Sequence, residues 1–442
     1  MIGAADCGGF ESRKHGRYGG HGETGIRTLE RTDVRSGPPA AAGCGCIHRS
    51  RYTEDTSIGE QGRAMSETTA PLVLRYEGEA RSIVHCRAGA LDELGTLLRG
   101  LPGRPLRRAI LCSDERVVGL HGEPARCALA AAGIVVERVT IPAGEEHKNL
   151  ATVASCYREF AALAVERGDL VVALGGGVPG DLFGFVAATY LRGLRLVQVP
   201  TTLVAQVDSA IGGKVGVDLP EGKNLVGAFK HPELVLADED LLRTLPEAEW
   251  IAGTAEVAKH GVIVDPQILE WLESDPGGWR RRAVPLGPIL AAAIAVKAGI
   301  VQEDVLETGT RMYLNYGHTL GHAVEAAAGY GVIRHGEAVG WGMAMEARLA
   351  EAVGLTTEGF VGRQDRLLRN LGLLAPLPAL DPDAVLEFVY RDKKVREGKI
   401  RWALPAAEPG ACVVRDDVPV DLVRAVLERT LSEREFTTFR QT

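Results

Sequence analysis

The chain has 442 residues, 45% hydrophobic and 24% charged, with a mean hydropathy near zero and a formal net charge of -8. That length holds two domains and a large core, and the acidic balance with no basic patch excludes a nucleic-acid role. No uninterrupted apolar run reaches the ~18 residues of a membrane span, the N-terminus lacks the apolar core of a signal peptide, and the 8 cysteines form no regular framework, which fits a reducing cytoplasm.

Residues 1–64 are rich in Gly, Arg, Ser and Thr without an apolar period of 2 or 3.6, which predicts a disordered or non-native leader. Met65 then opens MSETTAPLVLRYEG, which reads as an ordinary protein start. Cys44 and Cys46 form a C-x-C in the leader, read as incidental because no second pair completes a zinc knuckle. Further on, SIVHCR, RAILCSD, IVVERVTIP, DLVVALGGG, LRLVQVPTT and ELVLADED read as short strands. Helical stretches lie between them: ALDELGTLLRG, EPARCALAAAG, ATVASCYREFAALAVERG and LFGFVAATYLRG. The alternation predicts an α/β domain over 65–245 with a parallel sheet covered on both faces. In such sheets ligands bind beyond the carboxyl ends of the strands. After Leu245-Pro246 the strand signal mostly stops, and a mainly α-helical domain is predicted over 246–442, with KIRWALP and ACVVRD as a late hairpin. LPEAEW opens its first helix, with Pro early and acids in the first turn.

Several stretches carry chemistry. Gly175-Gly176-Gly177-Val178-Pro179-Gly180-Asp181 follows a strand and precedes a helix, where glycines let backbone N–H groups approach a pyrophosphate. It is not a G-x-G-x-x-G, and a strand-end triple glycine is as readily a tight turn. Thr201 and Thr202 end the next strand and offer hydroxyls. Glu145 and Lys148, in PAGEEHK, offer a charge pair for ribose or phosphate, or an ordinary loop salt bridge. Lys214 and Lys223-Asn224 place two lysines nine apart beside glycines, read as Gly-rich loops suited to phosphate.

Glu256 and Lys259 share a helix face, either as an exposed ion pair or with Glu256 as a metal ligand. The stretch RMYLNYGHTLGHAVEAAAGYGVIRHGE, Arg311 to Glu337, is the densest in function. His318 and His322 share one helix face, Asn315 is read as the N-cap of that helix, and a Gly-rich turn folds His335 back. A lone H-x-x-x-H is as often two half-exposed histidines, but a third histidine and a carboxylate from elsewhere complete a metal site with an open position. Lys297 and Arg311, with Glu307 between, add positive charge and imply a substrate with several negative groups.

Together, GGGVPGDLFGF, YLRGLRLVQVPTTLVAQVDSAIGGKVGVDLPEGKNLVGAF, RTLPEAEWIAGTAEVAKHG and LNYGHTLGHAVE resemble, in order and spacing, the 3-dehydroquinate synthases of the sugar phosphate cyclase family. The likeness runs from about Met65 to the C-terminus. It implies a Rossmann-like NAD domain followed by a helical metal domain, usually in a homodimer. By resemblance Glu256, His318 and His335 ligate zinc, with cobalt a substitute. Asp114, Glu145, Lys148, Gly176, Gly177, Val178, Gly180, Asp181, Thr201, Thr202, Lys214, Lys223, Leu241, Leu242, Arg243 and Thr244 contact NAD. Lys214 and Lys223 also border the reaction centre. Asn224, His322 and one of Lys393 or Lys394 hold the substrate phosphate, and Arg192 reaches the partner's phosphate site. Lys297 and Arg311 clamp a substrate carboxylate near Asn315, and Asp208 and Lys259 stand at the reacting oxygens.

The implied reaction, a step of the shikimate pathway, converts 3-deoxy-D-arabino-heptulosonate 7-phosphate to 3-dehydroquinate and phosphate. Transient oxidation at C5 acidifies the C6 proton, and phosphate leaves using its own oxygen as base. Re-reduction, ring opening and an aldol closure follow, with no net redox. Arg116 and the leader depart from the family pattern. Rival readings are the amino analogue of this reaction, a 2-deoxy-scyllo-inosose type cyclase, a metal-dependent alcohol or glycerol dehydrogenase, and a non-catalytic sugar-phosphate binder. Among the rival enzymes only the first shares the need for a Lys297/Arg311 pair, and a binder has no need of an open metal position.

Overall fold

The computed structural model describes residues 70–432 apart from 77–78, 104, 308, 330, 392–394 and 397–398. The predicted leader with Cys44, Cys46 and Met65, and the phosphate candidates Lys393 and Lys394, lie outside the described residues. Nine strands precede the helical half. They are β1 (Leu72–Tyr76), β2 (Glu79–Cys86), β3 (Arg108–Asp114), β4 (Val135–Ile141), β5 (Leu170–Gly175), β6 (Arg195–Pro200), β7 (Lys214–Leu219), β8 (Gly222–Phe229) and β9 (Leu234–Ala237). Seven make one sheet in the order β1-β2-β9-β6-β5-β3-β4. β1 is antiparallel to β2, and the remaining pairings are parallel.

The strands read as apolar runs because helices cover both faces. Alternation sorts their side chains. Ile110, Cys112, Val171 and Ala173 join one buried cluster with Leu182 and Phe183, while Ala109, Leu111, Val172 and Leu174 join another with Leu129 and Leu241. The chain leaves β3 for β4 on one side and returns to β5 on the other, which makes the carboxyl ends of β3 and β5 a topological switch point.

KVGVDLPEGKNLVGAF departs from the expectation of Gly-rich loops. It is an antiparallel hairpin, β7 with β8, turned at Pro220-Glu221, with Lys214 opposite Phe229. Gly216 and Gly227 allow this close pairing, since a Cβ on either meets the facing backbone. Alternation in V-G-V-D-L was the missed signal.

Four helices carry the second half of the site. With the helix after β5 they are numbered α1 (Gly177–Thr189), α2 (Glu247–Ile263), α3 (Leu286–Glu303), α4 (His318–Ala328) and α5 (His335–Ala352). α2 starts behind Pro246 with Glu247 and Glu249 in its first turn, where acids suit the helix dipole. α3 has the length and hydropathy of a membrane span, yet Ile289, Leu290, Ala293 and Val301 are buried in the core. The late hairpin is present, as Trp402–Pro405 paired with Cys412–Arg415.

Candidate active site

Five loops leave the sheet at its carboxyl edge. Asp114 ends β3, Glu145 to Lys148 follow β4, Gly175 to Gly177 close β5 and open α1, Thr201 and Thr202 follow β6, and Glu239–Thr244 follow β9. The predicted dinucleotide set is therefore carried largely on one edge, with Val178, Gly180 and Asp181 in the first turns of α1. Gly176, the N-cap of α1, offers no side-chain cap, so the first N–H groups of the helix remain available to an anion. Asp114 accepts from Val117 N–H at 2.8 Å, and Thr202 Oγ1 accepts from Ala205 N–H at 3.2 Å. Thr244 Oγ1 lies 2.8 Å from His121 Nε2. Leu241 and Leu242 are buried in the core, so only their backbone can face a ligand.

Lys148 is buried and donates to Asp181 Oδ2 and to Asn224 Oδ1, each at 2.7 Å. Its bond to Glu145 is through the backbone, Lys148 N–H to the Glu145 carbonyl at 2.9 Å, and its ammonium pairs with Asp181 instead. Burial pushes Asp181 up to about 6, against the pull of Lys148.

In the helical half, packing brings the metal candidates together. A Cβ on Gly342 of α5 would overlap the Gly317 carbonyl oxygen, and one on Gly336 would overlap the backbone of Ala252 on α2. These glycines let α2, α4 and α5 meet at backbone distance. Asn315 is not the N-cap of α4 as predicted. It ends a short 3₁₀ turn, Thr310–Asn315, and the N-cap is Gly317 at φ 77°, a left-handed conformation that favours glycine. The capping oxygens come instead from Glu346 on α5, which accepts from Gly317 N–H at 2.6 Å and Leu320 N–H at 3.0 Å.

Glu256 Oε1 lies 3.4 Å from His318 Nε2 and 3.7 Å from His335 Nε2. The His318 and His335 rings are 5.4 Å apart between centroids. His318 Nδ1 lies 3.1 Å from the Tyr316 carbonyl, which can only accept, so Nδ1 carries the proton and Nε2 presents a lone pair. Burial lowers the His318 pKa and keeps the ring neutral. Glu256 Oε1 is buried and accepts no hydrogen bond. Lone pairs facing across 3.4 Å in the interior call for a cation. Ligands at about 2.0–2.2 Å around a tetrahedral ion stand about 3.4 Å apart, so the set fits a zinc-like ion. His322 comes close as well, with one ligand atom from each of His318, His322 and His335 within 4.8 Å of one another.

Behind this set lies a buried charge cluster. Lys259 pairs with Glu256, both almost wholly buried. Lys297 Nζ donates to Asp208 Oδ1 at 2.7 Å. Asp208 sits on a π turn, Ala205–Ser209, a form frequent at functional sites. Burial would raise its pKa, but Lys297 and Lys259 overcome that and hold it at about 2. Burial lowers Lys297 in turn. Arg311 is buried and donates to the carbonyls of Val305 at 2.7 Å and Gly212 at 3.3 Å. Lys214 pairs with Glu307, which holds φ 61°. Arg192 is exposed at φ 67° on the turn after α1, and no hydrogen bond or ion pair ties it to this cluster among the described residues.

Three residues escaped sequence reasoning. Glu325 lies 3.8 Å from His335 Nδ1 and 3.5 Å from Lys223 Nζ; its position seven after His318, on the same helix face, was the available signal. Glu346 caps α4 from another helix, which no local pattern foretells. His260 is fully buried, both ring nitrogens without a hydrogen-bond partner, and burial then Lys259 push it down to about 3.

Family models described as the 3-dehydroquinate synthase N-terminal and C-terminal regions match residues 138–252 and 253–395. A 3-dehydroquinate synthase of Symbiobacterium thermophilum is 49% identical over 355 residues, 79% of this chain and 98% of the relative. That of Nostoc punctiforme is 44% identical over 342 residues, 76% of this chain and 93% of the relative. Among solved structures, 2-epi-5-epi-valiolone synthase from Streptomyces hygroscopicus with NAD+ and Zn2+ bound is 30% identical, with TM-score 0.72 over 85% of this chain and 100% of its own. A 2-deoxy-scyllo-inosose synthase complexed with carbaglucose-6-phosphate, NAD+ and Co2+ is 27% identical, with TM-score 0.71 over 81% and 99%. A glycerol dehydrogenase from Sinorhizobium meliloti, 16% identical with TM-score 0.52, shares the fold alone.

Proposed function

Because the chain belongs to the 3-dehydroquinate synthase family, we propose that it converts 3-deoxy-D-arabino-heptulosonate 7-phosphate to 3-dehydroquinate and inorganic phosphate. Beyond family membership, the observation that carries this reading is the meeting of Glu256, His318 and His335 around an orphaned carboxylate oxygen. Asp208 borders this set, with a carboxylate oxygen within 4.8 Å of one from Glu256.

In this reading Glu256, His318 and His335 hold a zinc or cobalt ion, and the loops at the strand ends hold NAD. When bound, NAD would supply hydride acceptance and return at the C5 carbon, and the ion would supply Lewis-acid polarisation of the substrate's oxygens. The chain's own side chains position the substrate. Lys297 and Arg311 receive its carboxylate near Asn315. Asn224, His322 and Lys393 or Lys394 hold its phosphate, with Lys214 and Lys223 alongside. Asp208, paired with Lys297, and Lys259, paired with Glu256, fix the charge beside the reacting oxygens. The buried Lys297/Arg311 pair is what favours this branch over cyclases whose substrates carry no carboxylate. The enzyme works as a cytoplasmic homodimer in which Arg192 enters the partner's phosphate site.

One assay tests this. Protein incubated with NAD and the heptulosonate phosphate releases inorganic phosphate without accumulating NADH, loses that activity to a chelator, and regains it with zinc or cobalt. Accumulating NADH marks a dehydrogenase, and binding without turnover marks a non-catalytic protein; either outcome overturns the proposal.

A further inference from the structure

Lys148 lies among the loops read as cofactor-binding, yet its buried ammonium is committed to two protein groups, the Asp181 carboxylate and the Asn224 carboxamide, each at 2.7 Å. Those groups belong to opposite sides of the site. Asp181 is in the first turns of α1, behind the glycines at the end of β5, and Asn224, itself a proposed phosphate ligand, is on β8. The backbone closes a ring around the same lysine. Asp218 N–H donates to the Lys148 carbonyl at 2.8 Å, and Asn224 N–H donates to Asp218 Oδ1 at 2.6 Å. Asn149 bridges Asp218 as well. Within this ring Asn224 holds φ 54°, a left-handed conformation that a side chain seldom adopts unless its surroundings impose it.

We infer that Lys148 is a positioning residue that couples the two subsites: one ammonium holds Asp181 on the cofactor side and Asn224 on the phosphate side in a fixed relation. The inference rests on the functional reading above. Lys148 sets where the Asn224 carboxamide points, and it supplies the countercharge that lets Asp181 ionise in the interior. A hydrogen bond to a charged group is lost at each side when it is removed.

The test is a double-mutant cycle on Lys148→Met and Asn224→Ala, with NAD affinity, KM for the heptulosonate phosphate, kcat and thermal unfolding measured for each protein. Lys148→Met should weaken NAD and raise the substrate KM, each by roughly tenfold or more. Asn224→Ala, at an exposed position, should raise KM alike in the wild-type background and hardly at all in the Lys148→Met background, with thermal unfolding reporting any cost of alanine at its positive φ. If Lys148→Met alters NAD affinity and leaves the substrate KM unchanged, or if the two KM effects multiply, the coupling role is wrong. A variant that only unfolds earlier, with wild-type affinities below its melting point, overturns it too. Wild-type turnover of the heptulosonate phosphate is read first, so a failure of the functional reading shows itself separately.

Discussion

At the sheet edge, glycines face side chains. A Cβ on Gly176 would meet Thr202 Cγ2 at 2.8 Å, and one on Gly177 would meet only Ser209 Oγ at 3.8 Å. In the helical half, the glycines at Gly336 and Gly342 face backbone atoms of neighbouring helices, which cannot rotate aside. The cofactor side is placed by topology, since parallel strands deliver their loops to one edge whatever the loop sequences are. The metal side is placed by packing, and its three candidate ligands depend on helix contacts that tolerate no added methyl. One half is thus tolerant in shape and exacting in charge, while the other is exacting in shape.

The strongest way to break the helical half is Glu256→Gln. It removes the carboxylate between His318 and His335 and strands the buried Lys259 ammonium, and breaking such a pair costs roughly 3–5 kcal/mol. Elemental analysis after dialysis should find the metal gone and phosphate release at background. His322→Ala should keep its metal, since His322 is exposed while the buried Glu256 carboxylate stands between His318 and His335. Metal lost from His322→Ala and kept by Glu256→Gln would make the site a three-histidine one.

Next in size is a pair of glycine substitutions that sets the halves directly against each other. Gly342→Ala should destabilise by about 1–3 kcal/mol and weaken metal retention, as overpacking against backbone does. Gly177→Ala should cost under about 0.5 kcal/mol in stability, because its Cβ meets no backbone. Its effect should fall on NAD affinity instead. Urea melts with metal analysis and NAD titration separate the outcomes, and equal destabilisation by both would erase the contrast. Smaller still, Glu346→Gln weakens the cap that ties α4 to α5, and should cost about 1 kcal/mol with a measurable loss of metal affinity.

The same contrast governs what could be read from the chain. The strand–helix alternation, the helical half and the late hairpin were legible because apolar periodicity is local. So were the loops beyond β3, β4, β5, β6 and β9, since strand ends announce themselves through residues such as Gly175 and Pro200. His318 and His322 follow from helical spacing. Asn315 was misread because a capping preference looks only at neighbours, whereas Glu346 reaches the start of α4 from 26 residues further on. Lys148 was read as a charge for ribose or phosphate or as half of a loop salt bridge with Glu145, but Asp181 and Asn224 reach it across 33 and 76 residues. The lysines of β7 and β8 were taken for loop residues because glycines masked the alternation around them. What stayed hidden was long-range electrostatics, and it is where the fold spends its buried charge.

The mildest substitution, Asp181→Asn, sharpens the comparison through pH rather than size. Asp208 has two lysines against its burial and is held at about 2, whereas Asp181 has Lys148 alone, and burial carries it to about 6. An unfolded aspartate titrates near pH 3.9. Between about 4 and about 6 the folded state therefore binds the Asp181 proton more tightly than the unfolded state does. By linkage, that proton's contribution to stability is present at low pH and is lost as pH rises through this window. The Asn variant lacks the titration, so the stability of wild type relative to Asp181→Asn should fall as pH rises from about 4 to about 6 and level off above, as urea melts across that range would measure. A difference that grows with pH would mean that Lys148 outweighs burial at the sheet edge, and the two halves would then handle their buried carboxylates alike.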